Sequence, residues 1–189
     1  EDTVNFGTGA MTLGAASTVT TGSGAVTFGG TVDGAQTLAV DTTGATLFSA
    51  AAGGTAPLTS LITNAGGTVN LQAVTTTGVQ TYGENATLNG TYTTGNNNFT
   101  ASGTTTLGGA TVVTTGSGGV TFTGAVDGGN TLAVNSSGAT LFSAAVGGGT
   151  TLTSLITDAG GTVNLQSVTT AEVQTYGENA TLNGTYTTT

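Results

Sequence analysis

The chain has 189 residues, 36% of them hydrophobic, which is enough for one domain or two small ones to bury a core; nine acidic residues stand against no Lys, Arg or His, a net charge of −9. Phosphate backbones and anionic lipid surfaces need cationic side chains to neutralise them, so nucleic acid and anionic membrane surfaces fall outside the expected partners. Cysteine is absent as well, which leaves backbone pairing and packing to supply stability in whatever compartment the chain works.

Residues 1–18 (EDTVNFGTGAMTLGAAST) carry no charged-then-apolar export signal, and the chain reads as a mature or excised piece. Thr makes up roughly a quarter of the residues and Gly numbers 34, a mixture that favours short strands closed by tight turns over helices. Strands are expected at residues 26–28, 37–40, 45–48, 58–63, 68–71, 80–82 and 86–88, each rich in β-branched, Leu or aromatic residues and bounded by Gly, Asn or Asp. Alternation points Val26, Phe28, Leu38, Val40, Val69 and Leu71 inward and Thr27, Ala39 and Asn70 outward. The nearly apolar run 45–52 (ATLFSAAA) is far shorter than the ~20 residues of a membrane helix.

Past Gly95 the same elements return. GGTVNLQAVTTTGVQTYGENATLNGTYTT at 66–94 recurs as GGTVNLQSVTTAEVQTYGENATLNGTYTT at 160–188, an offset of 94 that also relates Val19 to Val113, Phe28 to Phe122, Asp33 to Asp127 and Phe48 to Phe142. The organisation is therefore two tandem units, 1–94 and 95–189. Near the start of each unit the match loosens, with Phe6 and Phe99 out of phase by one residue. Shorter echoes run inside the unit: Val19-Thr20-Thr21 before Thr27-Phe28-Gly29 resembles Val74-Thr75-Thr76 before Thr81-Tyr82-Gly83. Coils of ~19 to ~24 residues would give four or five per unit and a rod on the order of 40–50 Å for the pair of units. Tandem immunoglobulin-like β-sandwiches are the competing architecture, since about seven strands in ~94 residues also fits that domain. Strands of three or four residues, no Trp, and echoes shorter than the unit favour a continuous parallel β-solenoid.

Chemistry is sparse. Without imidazole, thiol, ammonium or guanidinium, only carboxylates, Tyr and hydroxyls remain to act as base, nucleophile or oxyanion stabiliser, and no enzyme activity is expected. No cofactor is implied. Calcium could meet Asp33 and Asp127 or Glu84 and Glu178, but the repeated acids of a calcium-binding solenoid are missing and turn capping is the simpler role. Six Asn-x-Ser/Thr sequons, at Asn85, Asn89, Asn98, Asn135, Asn179 and Asn183, are read first as amide ladders between coils and second as glycan acceptors. Tyr82, Tyr92, Tyr176 and Tyr186 are the candidate glycan contacts if exposed in a row, and large members of a small-residue core if buried.

The stretch VTFTGAVDGGNTLAVNSSGATLFSAAVGGGTTLTSLITDAGGTVNLQSVTT at 120–170 resembles the repeat regions of giant bacterial secreted proteins related to filamentous haemagglutinin adhesins. That resemblance implies a right-handed parallel β-helix, an extracellular or cell-surface location, and a role as fibre, adhesin stalk or biofilm matrix component. The family's export domain is not visible in this sequence. A non-enzymatic structural segment is therefore the leading expectation, with further copies of the repeat as partners in cis or end to end in trans. A glycan-binding module, meeting host or matrix glycans, is the alternative; an ice-binding surface, which would need Thr-x-Thr in every coil, is a more distant one.

Overall fold

A computed structural model describes residues 2–64, 66–158 and 160–189, and in it every described strand pairs with its neighbours in parallel. Three columns of strands run the length of the chain. The first steps through Val4, Val26, Thr46, Val69, Ala86, Thr105 and Val126 to Val146, Val168 and Tyr186. The second steps through Met11, Val32, Ala52, Val74, Tyr92, Val113, Val134, Thr157 and Tyr176. The third takes Val19, Val40, Thr63, Tyr82, Ala101, Phe122 and Phe142, and then pairs Thr140 with Val163 and Val163 with Ala180. The chain visits the columns in rotation, so it winds as a three-sided β-solenoid of about 9 turns, close to 43 Å long at ~4.8 Å per turn. Immunoglobulin-like sandwiches are ruled out, because they are built from antiparallel strands and every described pairing here is parallel.

The alternation read from the sequence is the packing. Val26–Phe28 buries its first and third residues, as do Leu38 with Val40 and Val69 with Leu71, so each side sends every second side chain to the axis. The VTT echo has a physical reason too. After each such strand the second Thr turns inward at the corner: Thr76 Oγ1 donates to the Gly78 carbonyl at 2.7 Å, Thr115 Oγ1 to Gly118 at 2.6 Å and Thr170 Oγ1 to Glu172 at 2.8 Å. A buried hydroxyl thereby satisfies a carbonyl that the corner removes from the β-ladder.

The sequence repeat and the turn of the solenoid are out of step. Between Val26 and Val120, the same residue of the two units, the chain lays down fourteen strand positions, three to a turn, which is four turns and two further sides. Val26–Phe28 lies in the first column and its duplicate Val120–Phe122 in the third; Ser60–Thr63 lies in the third and Ser154–Thr157 in the second. Local contacts survive this rotation because each coil stacks on a neighbour about twenty residues away in both units. Phe28 stacks on Phe48 with centroids 4.5 Å apart, and Phe122 on Phe142 at 5.2 Å. The aromatic core thus changes sides where unit one meets unit two, around Tyr82, Tyr92 and Phe99.

The loose match at the unit starts also resolves. Val4 pairs with Val26 as Phe99 pairs with Val120, so Val4 occupies the place of Phe99, and Phe6 that of Ala101. The two Phe residues are therefore two strand positions apart rather than one, with a one-residue difference in the following turn restoring Met11 and Thr105 to equivalence.

Candidate functional site

The carboxylates serve the turns of neighbouring coils. Asp33 Oδ1 accepts the backbone N–H groups of Thr55 and Ala56 at 2.8 and 3.1 Å, one coil further on, and Asp127 does the same for Gly149 and Thr150 at 2.8 and 3.0 Å. Because the donors are backbone groups, the change from Thr55-Ala56-Pro57 to Gly149-Thr150-Thr151 leaves the cap intact. Glu84 Oε2 accepts from Thr63 Oγ1 at 2.8 Å, and Glu178 from Thr157 at 2.7 Å. Burial pushes the Glu84 carboxyl above the ordinary range, against the opposing pull of the Thr63 bond. Among the described residues no three acids gather as a metal would require.

One pair was missed in the sequence. Asp41 Oδ1 accepts from Asn64 Nδ2 at 2.6 Å across adjacent coils, and the second unit carries Asn135 and Asp158 in those places. Acid and amide have exchanged. Two carboxylates side by side would repel, so the readable signal was that both members changed between units and in opposite directions.

The four tyrosines divide by unit. Tyr82 and Tyr92 are 0% exposed, which removes them as glycan contacts and makes them core. Tyr82 OH donates to Gln80 Oε1 at 3.2 Å, and Tyr92 OH donates to the Leu71 carbonyl at 3.2 Å while accepting from Asn89 N–H at 3.0 Å. Burial raises both hydroxyls well above the usual tyrosine range. Tyr176 and Tyr186 repeat the same bonds, to Gln174 at 3.1 Å and to Leu165 at 3.1 Å, yet are only partly covered.

The sequon asparagines are mostly structural. Asn89 Nδ2 donates to Asn70 Oδ1 at 3.0 Å and Asn183 to Asn164 at 2.8 Å, one amide pair per unit instead of a ladder through every coil. Asn85 and Asn98 each accept a backbone N–H from the next coil, from Thr104 and Gly119, both at 2.9 Å. On the third side Thr81, Thr100 and Thr121 line up facing out, but Ile62 precedes them and Leu141 comes after, so the Thr array an ice-binding face requires is broken.

Comparison with family models, with curated proteins and with solved structures finds no match. Among the described residues the most exposed large apolar side chains lie in the last coil, residues 173–189. There Leu182 is 54% and Val173 52% exposed, beside the partly covered rings of Tyr176 and Tyr186. At the opposite end a cleft lined by Asp2, Val4, Thr20 and Thr21 carries one carboxylate among the described residues, and Phe6 is 39% exposed. Among those residues neither end carries a set of groups able to act as acid, base and nucleophile together.

Proposed function

We infer that this chain is a structural segment of an extracellular bacterial fibre or giant adhesin, a rod that sets distance and stiffness in surface attachment or cell–cell cohesion. The observation that carries the reading is the unbroken pairing of strand columns through the boundary between units: residues 85–93 pair with 68–71 behind and with 105–114 ahead, so one unit adds to the next without a hinge. A parallel solenoid of this kind lengthens by repetition, each coil contacting only its neighbours. The resemblance to filamentous-haemagglutinin-like repeats supports the same role and the extracellular location, and the shortage of catalytic side chains supports a non-enzymatic one.

Reach is the property to measure. Arrays of one, two and four copies placed beneath a reporter adhesin on a bacterial surface should restore attachment to a receptor shielded by capsule in order of array length. Attachment indifferent to length would sink the proposal, as would release of product from polysaccharides incubated with the purified chain.

A further inference from the structure

On the third side of the solenoid the outward residues of successive strands form one row: Ile62, Thr81, Thr100, Thr121 and Leu141. The row has the same pattern in both directions, with a large apolar residue at each limit and three half-buried threonines between. One strand further out on either side come Ala39 and Asn164. Every strand from Thr37–Asp41 to Thr162–Leu165 has a neighbour before it and after it, so this face belongs to the body of the rod and owes nothing to the first or last coil. Ile62 is 37% exposed, and Val79, beside the row, 36%.

Charge selects the same face. The chain carries nine acidic residues and no cation, so two copies repel wherever their carboxylates meet. On the first side the outward row through Thr87 and Thr106 runs into Asp127, and on the second Thr12 is followed by Asp33. Across the seven strands of the third side, from Thr37–Asp41 to Thr162–Leu165, one carboxylate faces out among the described residues, that of Asp41. Glu84, just past Tyr82, is buried and turned to Thr63.

We propose that this face binds the same face of a second copy of the chain, the two rods antiparallel about a two-fold axis through Thr100. This rests on the reading of the chain as a rod in attachment or cohesion and names its partner, since rods projecting from two facing cells run antiparallel. The two-fold sets Thr100 on Thr100 of the second copy, Thr81 on Thr121, Ile62 on Leu141 and Ala39 on Asn164, so that the contacts off the axis are each made twice. A threonine hydroxyl both donates and accepts, which lets the central pairs bond one another while the apolar limits cover each other. Val79 lies over Gly119 of the second copy, which has no side chain to obstruct it. The carboxylate also finds a donor. Asp41 is two residues past Ala39 and Gln166 two past Asn164, so Asp41 faces the Gln166 carboxamide of the second copy while its Oδ1 keeps Asn64 Nδ2 at 2.6 Å. The two Asp41 side chains are then six strand spacings apart along the rods, ~29 Å at ~4.8 Å each. Charges are felt over ~8 Å at physiological salt, so this pair is screened. A parallel arrangement would bring both to the same height.

Seven strands ~4.8 Å apart, each showing about five residues at ~3.3 Å, give roughly 550 Å² to each partner. The total of roughly 1,100 Å² passes the ~1,000 Å² of a specific contact and falls short of the ~1,600 Å² of a standard stable one. The pair is therefore one that dissociates on dilution. With a net charge of −9 on each copy, it tightens as salt screens the carboxylates elsewhere on the rods.

Sedimentation of the full chain over a range of concentrations tests this. The parent should pass from monomer to dimer, and at lower concentration in high salt than in low. Thr100→Asp sets two carboxylates together on the axis and should weaken the dimer about tenfold or more. Thr87→Asp, at a half-buried outward position of the first side, should leave it unchanged. Two double variants read the register. Thr81→Asp with Thr121→Lys brings opposite charges together in the antiparallel pair and like charges together in a parallel one; Thr81→Asp with Thr121→Asp brings like charges together in both. The first should dimerise at least as tightly as the parent and the second stay monomeric, with far-UV circular dichroism showing both folded. A parent that is monomeric at every concentration, equal losses from Thr100→Asp and Thr87→Asp, or double variants that behave alike would overturn the proposal. A monomeric parent retained on immobilised neutral glucan, with retention lost in Thr100→Asp, would give the face to a glycan instead. The rod reading survives each of these results, because the array-length measurement tests it separately.

Discussion

Residues 79–94 and 173–188 let one sequence be compared in two environments. The inner copy has a coil on either side and the outer copy has one. Tyr82, Leu88 and Tyr92 are 0% exposed, whereas Leu182 is 54% exposed and Tyr176 and Tyr186 are partly covered. The hydrogen bonds nevertheless scarcely change, with Tyr82 and Tyr176 bonded to their glutamines at 3.2 and 3.1 Å. With a coil on one side only, residues 173–188 keep the hydrogen bonds of residues 79–94 but not their burial. Shape and burial are usually formed together in a folded core; here the chain separates them.

The largest expected effects measure that second contribution. Tyr92→Ala and Leu88→Ala open cavities in a packed interior and should cost about 3–5 and 2–5 kcal/mol respectively in denaturant unfolding. Tyr186→Ala and Leu182→Ala remove side chains that face solvent on one side, and should cost less than half as much, approaching ~0.5 kcal/mol for Leu182. Equal losses at inner and outer positions would mean that the end face is covered in solution. Dilution would then separate the two cases, because cover supplied by a second copy is lost as the concentration falls.

Gly53→Ala and Gly147→Ala provide the matched control. Both glycines are at positive φ, 72° and 70°, and a Cβ at either would lie 2.0 Å from a carbonyl of the next coil, Thr75 or Thr169. Both sit in coils covered on either side, so both substitutions should destabilise alike, by about 1–3 kcal/mol. A marked difference between them would show that the units are not mechanically equivalent despite their shared local packing.

Much of this was legible beforehand and the remainder was hidden for identifiable reasons. Alternation at Val26–Phe28 and Val69 with Leu71 shows which side chains face the axis, since a period of two is a property of the strand itself. The strands at Val32–Asp33 and Val74–Thr75 escaped the pattern, because two residues carry no period. The offset of 94 was plain in the letters, but its rotation by two sides was not: it depends on counting corners, and the corner Thr residues announce themselves only once Thr76 and Thr115 are seen to turn inward. The tyrosines could be read as core or as surface because the sequence repeats them and the environment does not. Whether Tyr82 or Tyr176 is dry depends on the presence of a further coil, a fact that lies outside the sixteen residues themselves.

A gain in stability is expected one coil above this comparison. Thr105, stacked on Ala86 of the inner copy, buries a hydroxyl without a partner, and Thr46 on the same side does likewise. Thr105→Val replaces the unpaired hydroxyl by a methyl of similar volume and should stabilise the chain by about 1 kcal/mol. A loss instead would indicate that the hydroxyl holds a bond to solvent deep in the column.

The smallest effect concerns Glu84 and Glu178, the one carboxylate pair inside the duplicated sixteen residues. Both carboxylates accept a threonine hydroxyl, but the covering coil strips water from Glu84. Its pKa is raised in the fold, so the folded chain holds a proton that the unfolded chain releases near 4.5. The protonated form is favoured by folding; the stability it brings is complete below the unfolded pKa and is lost as pH rises through the folded one. At neutral pH the buried charge works against the fold. Glu84→Gln keeps an acceptor for Thr63 and cannot ionise, so it should raise the melting temperature at about pH 7 by a few degrees and converge on the parent at about pH 4. Glu178→Gln, on the coil with no cover, should move the melting temperature less at neutral pH. A larger gain at Glu178 than at Glu84 would reverse the argument, because it would place the costlier desolvation on the end of the rod instead of in its interior.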